Sequence, residues 1–189
     1  MGVSFSISMV CILNQNELIL KTIFGELSFV VTAKEGDLSN GKIVSANIEP
    51  MLPEGMEVEE SIAVLFRVNS STEIHDLNFA FTWNNSIEDN GSCTGQGLDA
   101  WEWEKDNQLL LIGTEDEEWL GSRLGSKYLS QSPITMGSNG FEINIAKFPK
   151  DKELSLHYVV SSNSLPEKED CSCWFAVDVA HKRVLEACE

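Results

Sequence analysis

Residues 77–83 read LNFAFTW, so Leu77, Phe79, Phe81 and Trp83 fall on one side of a period-two row. Successive side chains of a strand point to opposite faces, so this row is one apolar face of a β-strand. The same alternation recurs on both sides of it. Ile62, Val64, Phe66 and Val68 form a row upstream, and Val3, Phe5, Ile7, Met9, Cys11 and Leu13 another at the start of the chain. Downstream come Phe141, Ile143 and Ile145, then Leu154, Leu156, Tyr158 and Val160, then Cys173, Phe175, Val177 and Val179. Shorter strands are expected at 18–24, 27–33, 42–48 and 107–112. Period two with one polar face marks antiparallel strands packed on one side.

Turn residues separate the rows: Asn14-Gln15-Asn16, Gly25, Gly36-Asp37, Asn40-Gly41, Pro50 to Gly55, and Ser138-Asn139-Gly140. Nine or ten short strands with such turns predict a mainly β fold, an antiparallel β-sandwich or a strongly curved sheet. Two stretches depart from the pattern. Residues 84–100, rich in Asn, Ser and Gly, read as a surface loop. Near 114–131 the spacing of Leu120, Leu124 and Tyr128, behind a Thr114/Glu117 capping box, predicts one short helix, against which Gly121 and Gly125 count. Residues 180–187 suggest a second helix at the C-terminus. With no repeat or linker, residues 1–189 read as a single domain.

The composition, 42% hydrophobic and 23% charged over 189 residues, is that of a folded chain with a real core. Its acidity is concentrated. Residues 49–120 hold 17 Asp and Glu against Arg67 and Lys105, a net of −15 within a chain total of −17. A negative field of this kind attracts a basic partner and repels nucleic acid. The first residues alternate rather than forming a basic-then-apolar leader, and no 18-residue apolar run occurs. No signal peptide and no membrane span are therefore expected, and five cysteines in no framework spacing point to the reducing cytoplasm.

The candidate partner-binding residues are Glu102, Glu104 and Asp106, which lie around two tryptophans, and the run Glu115, Asp116, Glu117 and Glu118, followed by Trp119 as an aromatic anchor. Carboxylates gathered on one face would meet Lys and Arg. The sharpest form of that reading is an immunity-type inhibitor, occupying the basic active site of a nuclease toxin with carboxylates in place of phosphates. The alternative is a ligand-binding or carbohydrate-active β-sandwich in which Trp101 and Trp103, sharing a strand face, line a groove with nearby acids. Buried, the same pair is simply core, which is the commoner fate of large aromatics.

Catalysis finds little support. There is no G-x-S-x-G elbow, no phosphate-binding G-x-x-x-x-G-K loop and no H-E-x-x-H, so no enzyme activity and no catalytic residues are expected. His75 stands beside Asp76, His157 falls on the polar side of its row, and His181 follows Asp178 by three residues, so a carboxylate could orient any of them. Cys171, Cys173, His181 and Cys188 are metal-ligand types, but their spacing matches no common zinc site, and small buried cysteines explain them more simply. Neither a metal nor a cofactor is expected.

Overall fold

The computed structural model describes residues 17–85, 90–95, 97–137, 139–164 and 171–189. The row at residues 3–13 lies outside them. Among the described residues eleven strands form two antiparallel sheets, a β-sandwich. The strands are β1 (Glu17–Thr22), β2 (Gly25–Glu35), β3 (Lys42–Asn47), β4 (Glu60–Asn69), β5 (Ile74–Trp83), β6 (Asn90–Gly95), β7 (Leu98–Lys105), β8 (Gln108–Glu115), β9 (Leu129–Gly137), β10 (Gly140–Phe148) and β11 (Glu153–Ser164). One sheet runs β1-β2-β5-β10-β9 and the other β3-β4-β11-β8-β7-β6.

The alternating rows meet between the sheets. Leu77, Phe79, Phe81 and Trp83 of β5 and Phe141, Ile143 and Ile145 of β10 face Ile62, Val64, Phe66 and Val68 of β4 and Leu154, Leu156, Tyr158 and Val160 of β11 in one core. Tyr158 packs edge-on against Phe66 and Phe81, and its hydroxyl, buried with the ring, donates to the Phe79 carbonyl across the sandwich at 2.9 Å. The bond lets a phenol sit in a dry core without an orphaned polar atom.

One-sided packing holds for only part of the second sheet. The outward residues of its middle strands, Ala63, Leu65, Leu109, Leu111 and Val159, are also buried, in a second apolar cluster with Cys173, Val177, Val179 and Val184. A pair of short C-terminal helices, α2 (Ser172–Val177) and α3 (His181–Ala187), covers this face. Here the sequence reading needs correction. Cys173, Phe175, Val177 and Val179 do not form a strand; Cys173, Ala176 and Val177 share the buried face of α2, while Phe175 is 44% exposed. A short, nearly all-apolar run fits either period, and docking onto the sheet selects the helix. Gly113 of β8 makes room for it: a Cβ there would come within 2.8 Å of Val177 Cγ2.

Two further expectations change. Residues 84–100 are not one loop, because β6 and the start of β7 lie within them. The helical segment begins two residues later than the capping box implies. Thr114 remains in β8, and Asp116 caps α1 (Glu117–Leu120), accepting from the Trp119 amide at 2.9 Å. α1 then loosens into a π-turn at Gly121–Gly125 and a single 3-10 turn at Ser126–Tyr128, after which β9 begins. Gly121 and Gly125, the residues that weaken a helix here, bound that irregular turn. The C-terminal helix forms as expected. Among the described residues no helix is long and apolar enough to cross a membrane.

Candidate functional site

The C-terminal helices cover what the sequence marks as the polar side of β11. Ser155 and His157 point outward from that strand, opposite the core residues Leu154, Leu156 and Tyr158, yet His157 is only 1% exposed because α3 lies over it. His181, the first residue of α3, comes down onto the same spot and places its Nδ1 2.8 Å from His157 Nδ1. Its Nε2 lies 2.8 Å from Ser155 Oγ.

The facing Nδ1 atoms share one proton, so one neutral ring donates there and the other accepts. The tautomer of His181 then sets whether Ser155 Oγ donates to or accepts from its Nε2. Both imidazoles are held neutral. Burial, followed by repulsion from the Arg123 guanidinium, depresses each to about 3, with the neighbouring histidine adding to the effect on His181.

Arg123 reaches this cluster from the π-turn. Its Nε lies 3.0 Å from both Glu115 oxygens, Nη2 makes a short contact of 2.5 Å with Oε2, and Nη1 donates to the Ser155 carbonyl at 2.8 Å. Glu115, the last residue of β8, is thereby turned inward, with 11% of its side chain exposed. Thr114 steadies the strand end from the next position, donating to the His157 carbonyl at 2.7 Å. Glu115, His157 and His181 each offer a ligand atom, all within 4.8 Å of one another. Beside them opens a cavity of about 530 Å³ lined by Glu115, Arg123, His181, Lys182, Asp178 and Trp119. Burial raises the Asp178 carboxyl above the usual range.

Trp119 is the aromatic rim of this cavity, 60% exposed. Its indole lies across Gly97, where φ is +90° and any Cβ would meet Nε1 at 2.6 Å. Asp116 ties the two chain segments together, its Oδ2 accepting from the Gly97 amide at 3.0 Å. Glu117 and Glu118 project beside Trp119 into solvent.

The eight candidate partner-binding residues therefore do not share one patch. Glu104 pairs with Leu109 and Asp106 sits in the two-residue turn after it, at the opposite end of the β7–β8 hairpin from Glu115. At about 3.3 Å per residue that is some 20 Å away. Glu102 and Glu104 are close enough to raise the Glu102 carboxyl, after the larger effect of burial. Glu115 and Asp116 are engaged within the protein, which leaves Glu117, Glu118 and Trp119 as the solvent-facing group at the cavity. Trp103 is fully buried and Trp101 packs against the same core, so this pair makes no exposed platform. His75 lies on β5 of the other sheet, its Nε2 2.9 Å from Glu73 Oε1. Cys171 is exposed and Cys173 lies in the apolar cluster under α2, while His181 faces His157 and Ser155. Arg123 and Ser155 had no signal in the sequence, since an isolated arginine and a strand serine are common surface residues.

No family model matches the chain, and no curated protein matches it. One solved structure, described as a kojibiose phosphorylase from the human microbiome, aligns at a TM-score of 0.42 and 10% identity over 90% of this chain. The chain spans 23% of the length of that protein. A likeness at that level carries no functional argument.

Proposed function

We propose that the protein is an acidic, cytoplasmic binding module that docks a basic partner protein at the α1 end of the sandwich. The observation that carries the reading is Trp119, 60% exposed at the rim of a 530 Å³ cavity with Glu117 and Glu118 beside it, on a chain of net charge −17. The negative field accelerates encounter with a cationic surface, and burial of the indole then slows dissociation. In its sharpest form the partner is a nuclease toxin, and the exposed carboxylates occupy positions that substrate phosphates would take. The reading assigns binding and no catalytic step.

Capture from lysate at low and high salt, followed by kinetics with the recovered partner, tests it. Paired reversal of Glu117→Lys and Glu118→Lys should slow association, and Trp119→Ala should speed dissociation. Unchanged rates in both variants would remove this end of the molecule as the docking surface.

The cavity supports a second reading, a small-molecule or carbohydrate site, since its volume is in the range of ligand pockets. Trp119, rather than Trp101 and Trp103, would supply the stacking surface. Glycan or metabolite titrations that quench Trp119 fluorescence, with no protein captured, would favour it.

A further inference from the structure

We propose that Glu115, His157 and His181 form a binding site for a single divalent transition metal of the zinc class. Three separate elements bring the donors together: the end of β8, the outward row of β11 and the first residue of α3. Their ligand atoms all fall within 4.8 Å of one another. Two imidazole nitrogens with one carboxylate suit zinc, cobalt or nickel and not the all-oxygen cages of calcium or magnesium.

The surroundings are those a metal-bound histidine requires. A ligating imidazole is oriented by a partner on its second nitrogen. His181 has Ser155 Oγ there at 2.8 Å, and the backbone of Val179 acts on the buried His157 ring. Binding needs a local rearrangement. The proton between the two Nδ1 atoms moves to the Nε2 of the ring that carries it, with no net proton lost. The two nitrogens, now 2.8 Å apart, separate by about 0.5 Å to the spacing of two ligands on a tetrahedral ion.

Glu115 is held by Arg123, which takes two contacts at Oε2 and one at Oε1, so Oε1 keeps a lone pair to offer. The guanidinium next door weakens cation binding, so affinity should fall below that of a closed structural zinc site. Three protein ligands leave a coordination position open, and the adjoining cavity, lined by Glu115 and His181, gives it access to water, a hydroxyl or a carboxylate. The described C-terminal cysteines take no part: Cys173 is buried in the apolar cluster under α2, Cys188 packs against that cluster, and Cys171 is exposed.

The test uses the full chain stripped with a chelator. Cobalt(II) titration followed by visible absorption, and zinc titration by calorimetry, should each show one ion per chain. Addition of zinc should move the imidazole nitrogen resonances of His157 and His181 and leave those of His75 in place. His181→Asn and Glu115→Gln should each weaken zinc binding at least tenfold, with folding checked by near-ultraviolet circular dichroism. The paired change of Cys171→Ser and Cys188→Ser should leave binding as it was. The imidazole resonances decide the matter in the unaltered protein should a histidine variant unfold. A folded protein that binds no ion, an ion that leaves His157 and His181 unmoved, or binding lost with the cysteines would overturn the proposal.

Discussion

His157 and His181 meet Nδ1 to Nδ1 at 2.8 Å under the C-terminal helix, a spacing with room for one proton and not two. In the metal-free protein both rings are neutral, depressed to about 3 from the ordinary histidine value near 6.5 by burial and by Arg123. The unfolded chain binds more protons than the folded one between those values. The contribution of the pair is therefore fully present above about pH 6.5 and is lost as pH falls toward 3. Thermal unfolding of chelator-treated protein should show the melting temperature dropping across that window, as a joint titration of the pair rather than of either ring. A His157→Gln variant should be less stable at pH 7 and should show a shallower decline.

The Glu115–Arg123 pair is mostly withdrawn from water, and Arg123 also serves the Ser155 carbonyl. Removing the cation alone leaves a poorly solvated carboxylate. Arg123→Ala should cost about 2 kcal/mol, below the value for fully buried pairs because both groups keep some exposure. Urea denaturation measures it, and a loss under about 0.5 kcal/mol would show the pair to be ornamental.

Val177 lies against Gly113, and no larger residue fits between α2 and β8. Gly113→Ala should destabilise the protein by roughly 1–3 kcal/mol through overpacking. Hydrogen exchange should report the loss first in α2 and α3, whose apolar cluster depends on that close approach.

Asp99 works the other way. Its carboxyl is raised by burial and then by the charges of Asp116 and Glu117. A raised acid is stabilising below its unfolded pKa and loses that contribution as pH rises through its folded value, so at neutral pH it opposes folding. Asp99→Asn should increase stability at pH 7 by a few tenths of a kcal/mol, screened further by salt. Denaturation curves at pH 4 and pH 7 separate this from a packing effect, since the gain should vanish in acid.

Trp119 should account for most of the iodide-quenchable tryptophan fluorescence attributable to Trp101, Trp103 and Trp119, because Trp103 is sealed in the core. A Trp119→Phe variant should lose that quenchable fraction and keep wild-type stability within about 0.5 kcal/mol. Equal quenching in a Trp119→Phe/Trp174→Phe double variant, which removes the half-buried Trp174 as a source, would mean that the core tryptophans are accessible.

The sandwich was legible in the sequence because its evidence is local. A row such as Leu77, Phe79, Phe81 and Trp83 can bury one face only as a strand, and four such rows suffice to build a two-layer core. Residues with less insistent patterning were harder to read. β9 carries little signal because its exposed residues Gln131, Ser132 and Thr135 dilute the alternation, and α2 reads as a strand because nearly every position in it is apolar.

The sequence by itself determined a β-rich chain with a concentrated negative charge, since composition and period do not depend on what packs where. Only the tertiary structure decided which charges are available. It turned Glu115 inward onto Arg123, committed Asp116 to a helix cap, and left Glu117 and Glu118 in solvent, although all four are adjacent in the chain. It also joined His157 to His181 across 24 residues by laying α3 over the outward row of β11. Contacts of that kind depend on how a helix docks on a sheet, and no spacing along the chain encodes them.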